Sequence, residues 1–158
     1  MPGERIHPLQ APYAADVQAA FETVMPPGVP PLKLFRSMAR NPRALQRMLA
    51  GGLLDRGSIS LRERELLILR TTARCRAEYE WGVHVAAFAA KAGFSPEQIA
   101  DTCAARPAPG LWSRAEQALL ALADSLHGKA DVDEPLWQEL CTYFAEDQLI
   151  ECLLLVGF

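Results

Sequence analysis

Between Glu65 and His84 the chain carries three carboxylates (Glu65, Glu78, Glu80), a thiol (Cys75), a phenol (Tyr79) and an imidazole (His84). Glu80 and His84 lie four residues apart, so on a helix they share one face and can touch. Glu65 belongs to the preceding helical stretch, which a short connection must fold back antiparallel. An imidazole flanked by carboxylates is a proton-transfer device with a pKa near working pH. A neighbouring carboxylate favours the charged ring and burial opposes it, so pairing decides the sign. The spacing nominates His84 as general acid or base, Glu80 as the group that orients it, and Glu65 as a second carboxylate reaching across the hairpin. Such a trio can give a proton to a bound molecule or take one from it.

Each of these residues also has a structural reading. Glu80 and His84 can form an ordinary exposed helix pair worth only about 0.2–0.5 kcal/mol. Glu65 can pair with Arg62 or Arg74. Glu78 suits the first turn of a helix, and His127 the last. Tyr79 and Trp81 read as core aromatics or pocket walls. Cys75, between Arg74 and Arg76 at a helix junction, is a candidate nucleophile. Cys103, Cys141 and Cys152 form no CxxC pair and read as reduced core residues. One His with two Glu could hold a divalent ion, but the spacing matches no strong ligand motif, so neither metal nor cofactor is expected.

The elements that must hold these groups are well punctuated. Ser60-Leu-Arg-Glu63 is a capping box opening a helix to about Arg74. Its Leu61, Leu66, Leu67, Ile68 and Leu69 make too broad a stripe for a surface helix, which predicts burial on most sides. A turn over 75–77 leads to a helix from Glu78 to Lys91, stopped by Gly93 as its C′ residue. Ser95-Pro96 opens a short helix, Arg106 to Gly110 a loop, and Ser113-Arg-Ala-Glu116 a helix ending near His127-Gly128. Asp133 caps a helix through Tyr143, and Glu146 starts another. Ahead of this body one helix fits at Tyr13 to Val24, a second at Leu32 to Arg40, and a third from Pro42 to Leu54 capped by Asn41. The prolines at 26–27 and 30–31 predict an extended arm between the first two. No alternating run is long enough for a strand, so the fold class is all-α. The reading is of a proline-rich arm over 1–31 and a helical domain over 32–158.

With 158 residues, half of them hydrophobic, and a net charge of −3, the chain has one real core and no electrostatic reason to bind nucleic acid. The longest apolar runs are broken by charge, so no membrane span is expected, and the N-terminus lacks the apolar core of a signal peptide. A cytoplasmic location follows as the default. The chain stops within the apolar run Leu153 to Phe158 without a cap, so that end packs on the core, meets another subunit, or continues in the natural protein.

Ser60 to Arg70, then Cys-Arg-Ala-Glu-Tyr-Glu80-Trp-Gly-Val-His84, then Ala-Gly-Phe-Ser-Pro-Glu-Gln-Ile99, together resemble the carboxymuconolactone decarboxylase family, grouped with the alkylhydroperoxidase D-like proteins. The resemblance implies a helical bundle of that type with a catalytic hairpin, assembled as a dimer, trimer or hexamer. In peroxidase members the hairpin carries a CxxC pair followed by a His, with a Glu on the helix before. His84 and Glu65 match that His and Glu, whereas Ala77 and Glu80 occupy the two cysteine positions. Without the pair a thiolate and its resolving thiol cannot act in one chain. The resemblance therefore implies a cofactor-free acid–base enzyme acting on a small organic acid through His84, Glu80 and Glu65. The alternatives are a peroxidase using Cys75 with an external reductant, and a non-catalytic helical scaffold that oligomerises.

Overall fold

The computed structural model describes residues 6–157, and every regular element among them is helical. They run as α1 Ala15–Val24, α2 Lys33–Met38, α3 Pro42–Gly51, α4 Leu61–Arg74, α5 Glu78–His84, α6 Pro96–Asp101, α7 Arg114–Lys129, α8 Glu134–Tyr143 and α9 Glu146–Gly157. A π turn, Val85–Ala89, continues α5, and a short 3-10 turn spans Pro109–Leu111. The all-α expectation holds.

Two compact units divide after Gly52 rather than at the expected 31/32. The reason is a shared small core. Val17 and Phe21 of α1, Ala39 after α2 and Leu45 of α3 are buried together, with Leu9, Tyr13 and Phe35 against them. The Leu9 amide donates to the Arg36 carbonyl at 3.0 Å, which binds the leading strand of chain to α2. The proline segment is not extended throughout. The Val29 amide donates to Pro26 at 3.1 Å around Gly28, whose φ of +78° suits a turn that L side chains resist.

In the second unit α4 is the central rod, packed against α5, α7 and α9. Its capping box forms as read, with Ser60 accepting from Glu63 and the Glu63 carboxylate accepting from Ser60. Every residue from Arg64 to Arg70 is buried, so the helix is enclosed on all sides over two turns. Such enclosure requires its charges to be partnered. Arg70, fully buried, donates to both carboxylate oxygens of Asp124 on α7 at 2.8 and 2.7 Å. Its remaining nitrogen reaches the carbonyls of Thr102 and Ala104 at 2.9 and 2.7 Å. The Thr102 hydroxyl in turn accepts from the Trp81 indole at 3.1 Å, so one cation ties α4, α7, the end of α6 and α5 together. Arg62 adds a second tie to α7 through Glu116 at 2.6 Å.

The turn that reverses α4 into α5 is a Schellman cap. The Ala77 amide bonds the Thr72 carbonyl at 2.9 Å and the Arg76 amide the Ala73 carbonyl at 3.1 Å. Arg76 fills the C′ position with φ of +56°, where glycine is the relaxed choice. α7 ends at Lys129, one residue past the expected end near His127-Gly128, and Ala130 takes the left-handed position. Gly93 does have positive φ, at +73°, as expected. Replacing Arg76 by Gly removes a left-handed side chain, so Arg76→Gly should raise stability by about 1 kcal/mol in urea unfolding. A loss of stability would show that the arginine side chain holds the turn.

A buried carboxylate–imidazole site on the α4–α5 hairpin

The site is built from the second turn of α4 and the last turn of α5, which the Schellman turn sets side by side. Glu65 points into the enclosed side of α4 and is fully buried. His84 is 4% exposed, and its Nδ1 lies 2.8 Å from Glu65 Oε2. Its other nitrogen, Nε2, lies 3.6 Å from Glu80 Oε1 one turn back on the same helix. The Glu80 side chain is 34% exposed, so this face of the ring is the one nearer solvent. The three residues that the spacing nominated therefore meet.

Their order is asymmetric. Nδ1 is committed to a short bond inside the core, while Nε2 faces a looser carboxylate at the edge. Burial alone lowers the pKa of the imidazole, but the hydrogen bonds and charges of Glu65 and then Glu80 outweigh it and raise it from 6.5 to about 9. That shift holds the ring as the imidazolium at neutral pH, with Nδ1–H donating to Glu65 and Nε2–H turned toward the Glu80 carboxylate.

Two parts of the site escaped sequence reasoning. The first is Arg64, next to Glu65 in sequence and itself buried. Neighbouring residues on a helix point about 100° apart, so spacing gave no reason to pair them. The long guanidinium wraps back, however, and its Nε and Nη2 donate to Glu65 Oε1 at 3.0 and 2.9 Å. Its Nη1 bonds the carbonyls of Leu54 and Asp55, the latter at 3.2 Å. The two expected partners of Glu65 go elsewhere, Arg62 to Glu116 and Arg74 to Asp124. The second is Phe88 in the π turn, whose ring centre lies 5.4 Å from that of His84. The Arg64 guanidinium and the Lys91 ammonium stand 5.5 and 5.6 Å from the same ring centre. Single π turns recur at functional sites, and this one directly follows His84.

Cys75 is placed differently. It caps α4, is exposed, and its Sγ lies 3.6 Å from His127 Nδ1, so its recorded partner is that second imidazole and not His84. Cys103, in the turn after α6, and Cys141, on α8, are exposed, against the expectation of core thiols. Cys152 alone is buried as expected, and burial pushes its thiol up to about 12. Tyr79 is also exposed rather than part of the core, whereas Trp81 packs against it. Glu78 lies in the first turn of α5, as read. Among the described residues no cluster of three or more His, Cys, Asp or Glu could hold a metal, and no helix is long and apolar enough to cross a membrane. A groove of about 520 Å³ in the first unit is lined by Phe21, Met25 and the prolines at 26–27 and 30–31, and includes no residue of this site.

Residues 40–124 match the carboxymuconolactone decarboxylase family, a span that contains Glu65, Cys75, Glu80 and His84. No curated protein matches the chain. Four chains of solved structures do. One is an uncharacterized peroxidase-related protein from Silicibacter sp. TM1040, with a TM-score of 0.81 and 18% identity over 100% of this chain and 86% of its own. At that identity the likeness is one of fold.

The raised pKa has a thermodynamic consequence. The folded protein binds the His84 proton more tightly than the unfolded chain does, so the pair contributes full stability below about pH 6.5 and loses it as pH rises through about 9. Urea unfolding from pH 6 to 10 should show this decline, on the order of a few kcal/mol, and Glu65→Gln should flatten it. A His84 ring that titrates by NMR near 6.5 would contradict the pairing.

Proposed function

This chain belongs to the carboxymuconolactone decarboxylase family, and we propose that it is an acid–base enzyme that needs no cofactor and acts on a small organic acid. The single observation that carries this reading is the imidazolium of His84, clamped at Nδ1 by Glu65 and turned at Nε2 toward the partly exposed Glu80. In a decarboxylation the bond between the carboxylate and its carbon breaks, carbon dioxide leaves, and the electron pair stays on carbon. The Nε2 proton then moves to that carbon, forming the new C–H bond. Glu80, the carboxylate nearer solvent, relays a proton from water to restore the acid. Glu65 stays in place and keeps the ring oriented.

A second reading, a thiol peroxidase, is favoured by one observation, the 3.6 Å approach of Cys75 Sγ to His127 Nδ1. There the thiolate attacks a hydroperoxide, the O–O bond breaks with release of an alcohol, and an external thiol reduces the sulfenate. The first reading rests on the better enclosed group. Assembly of like chains goes with both readings, because Ile150 and Leu154 of α9 are 59% and 58% exposed and gain from being covered.

Loss of a general acid costs about 10²–10⁴-fold in rate. Turnover screened on small carboxylic acids and lactones should fall by that amount in His84→Gln and less in Glu80→Gln, while Cys75→Ser stays at the wild-type level. Full activity in His84→Gln excludes the acid–base reading. Peroxide turnover that disappears in Cys75→Ser establishes the second one.

A further inference from the structure

The charge that makes this site workable lies outside the trio. Glu65 is fully buried, and its two oxygens have separate partners: Oε2 faces His84 and Oε1 takes two donors from Arg64. Arg64 is anchored from behind by the backbone carbonyls of Leu54 and Asp55, so the guanidinium is held in place independently of the imidazole. Its face also rests over Phe88, the ring that covers His84.

We propose that Arg64 is a positioning residue of the reaction: it fixes Glu65 against His84 and supplies the positive charge that allows the imidazolium to give up its proton. This rests on the acid role assigned to His84 above. The argument is one of charge balance. An acid must also lose its proton, and once His84 is neutral the buried carboxylate no longer has a cation on Oε2. An isolated buried charge costs several kcal/mol, so a Glu65–His84 pair alone resists release. With Arg64 on Oε1 the carboxylate stays compensated in both states of the ring. The other charged groups that face the imidazole leave this role unfilled. Glu80 is a second anion, and Lys91 is exposed, with its ammonium recorded 5.6 Å from the Phe88 ring centre and no ion pair to Glu65 or Glu80 among the described residues.

Without Arg64 the pair holds its proton to higher pH. The test is an NMR titration of the His84 ring in the full chain, which needs no substrate, comparing wild type with Arg64→Met and Arg64→Lys. The expected result is a midpoint about one pH unit or more higher in Arg64→Met, with Arg64→Lys between it and wild type because an ammonium restores the charge without the fork. A folded Arg64→Met with an unchanged or lowered midpoint overturns the proposal. Should Arg64→Met fail to fold, Arg64→Gln takes its place, and an unchanged or lowered midpoint there is equally fatal. Where turnover is measured, the alkaline limb of kcat should move up with the midpoint, a shift that a purely structural arginine would not produce. The ring titration stands apart from the acid–base reading, which falls only if His84→Gln remains active.

Discussion

The second unit is organised around a carboxylate that has no contact with water. Glu65 lies fully buried in the second turn of α4, and a charge there needs cationic partners. His84 supplies one and Arg64 the other. Each then has to be delivered to a fixed place. The Schellman turn at 75–77 brings α5 back alongside α4, and the carbonyls of Leu54 and Asp55 hold Arg64 from behind. Remove either delivery and the carboxylate is left partly uncompensated inside the core.

The same helix carries a structural counterpart. Arg70, five residues further on and equally enclosed, directs its donors to Asp124 and to two carbonyls. Those partners are one carboxylate and two backbone carbonyls, so that cluster ties the helices together. At Glu65 one partner is an imidazole, the side chain that can change charge within reach of ordinary pH. The difference between the brace and the site is therefore the identity of a single partner, and the packing that supports them is alike.

Membership of the family and the likeness to a peroxidase-related structure concern the scaffold more than the reaction. A helical hairpin can present a thiol pair or a carboxylate–imidazole pair at the same turn. In this chain Ala77 is the N-cap of α5 and Glu80 is a partner of His84, so the hairpin presents acid–base groups, and its cysteine, Cys75, stands at the turn against His127.

The helices, their caps and the approach of Glu65, Glu80 and His84 were legible in the sequence, because capping boxes, helical periodicity and four-residue spacing are local rules. Ser60-x-x-Glu63 and Ser113-x-x-Glu116 form the boxes their letters spell. Local rules placed the end of α7 to within a residue, at Lys129 rather than Gly128, but did not show that the first unit extends to Gly52, where α2 and α3 share a core with α1. Only the tertiary structure decided that Arg64 reaches its own neighbour, that Arg62 and Arg74 do not, and that the imidazole is charged. Those outcomes depend on which groups are shut away from water together, and burial is a property of the packed chain that no spacing of residues contains.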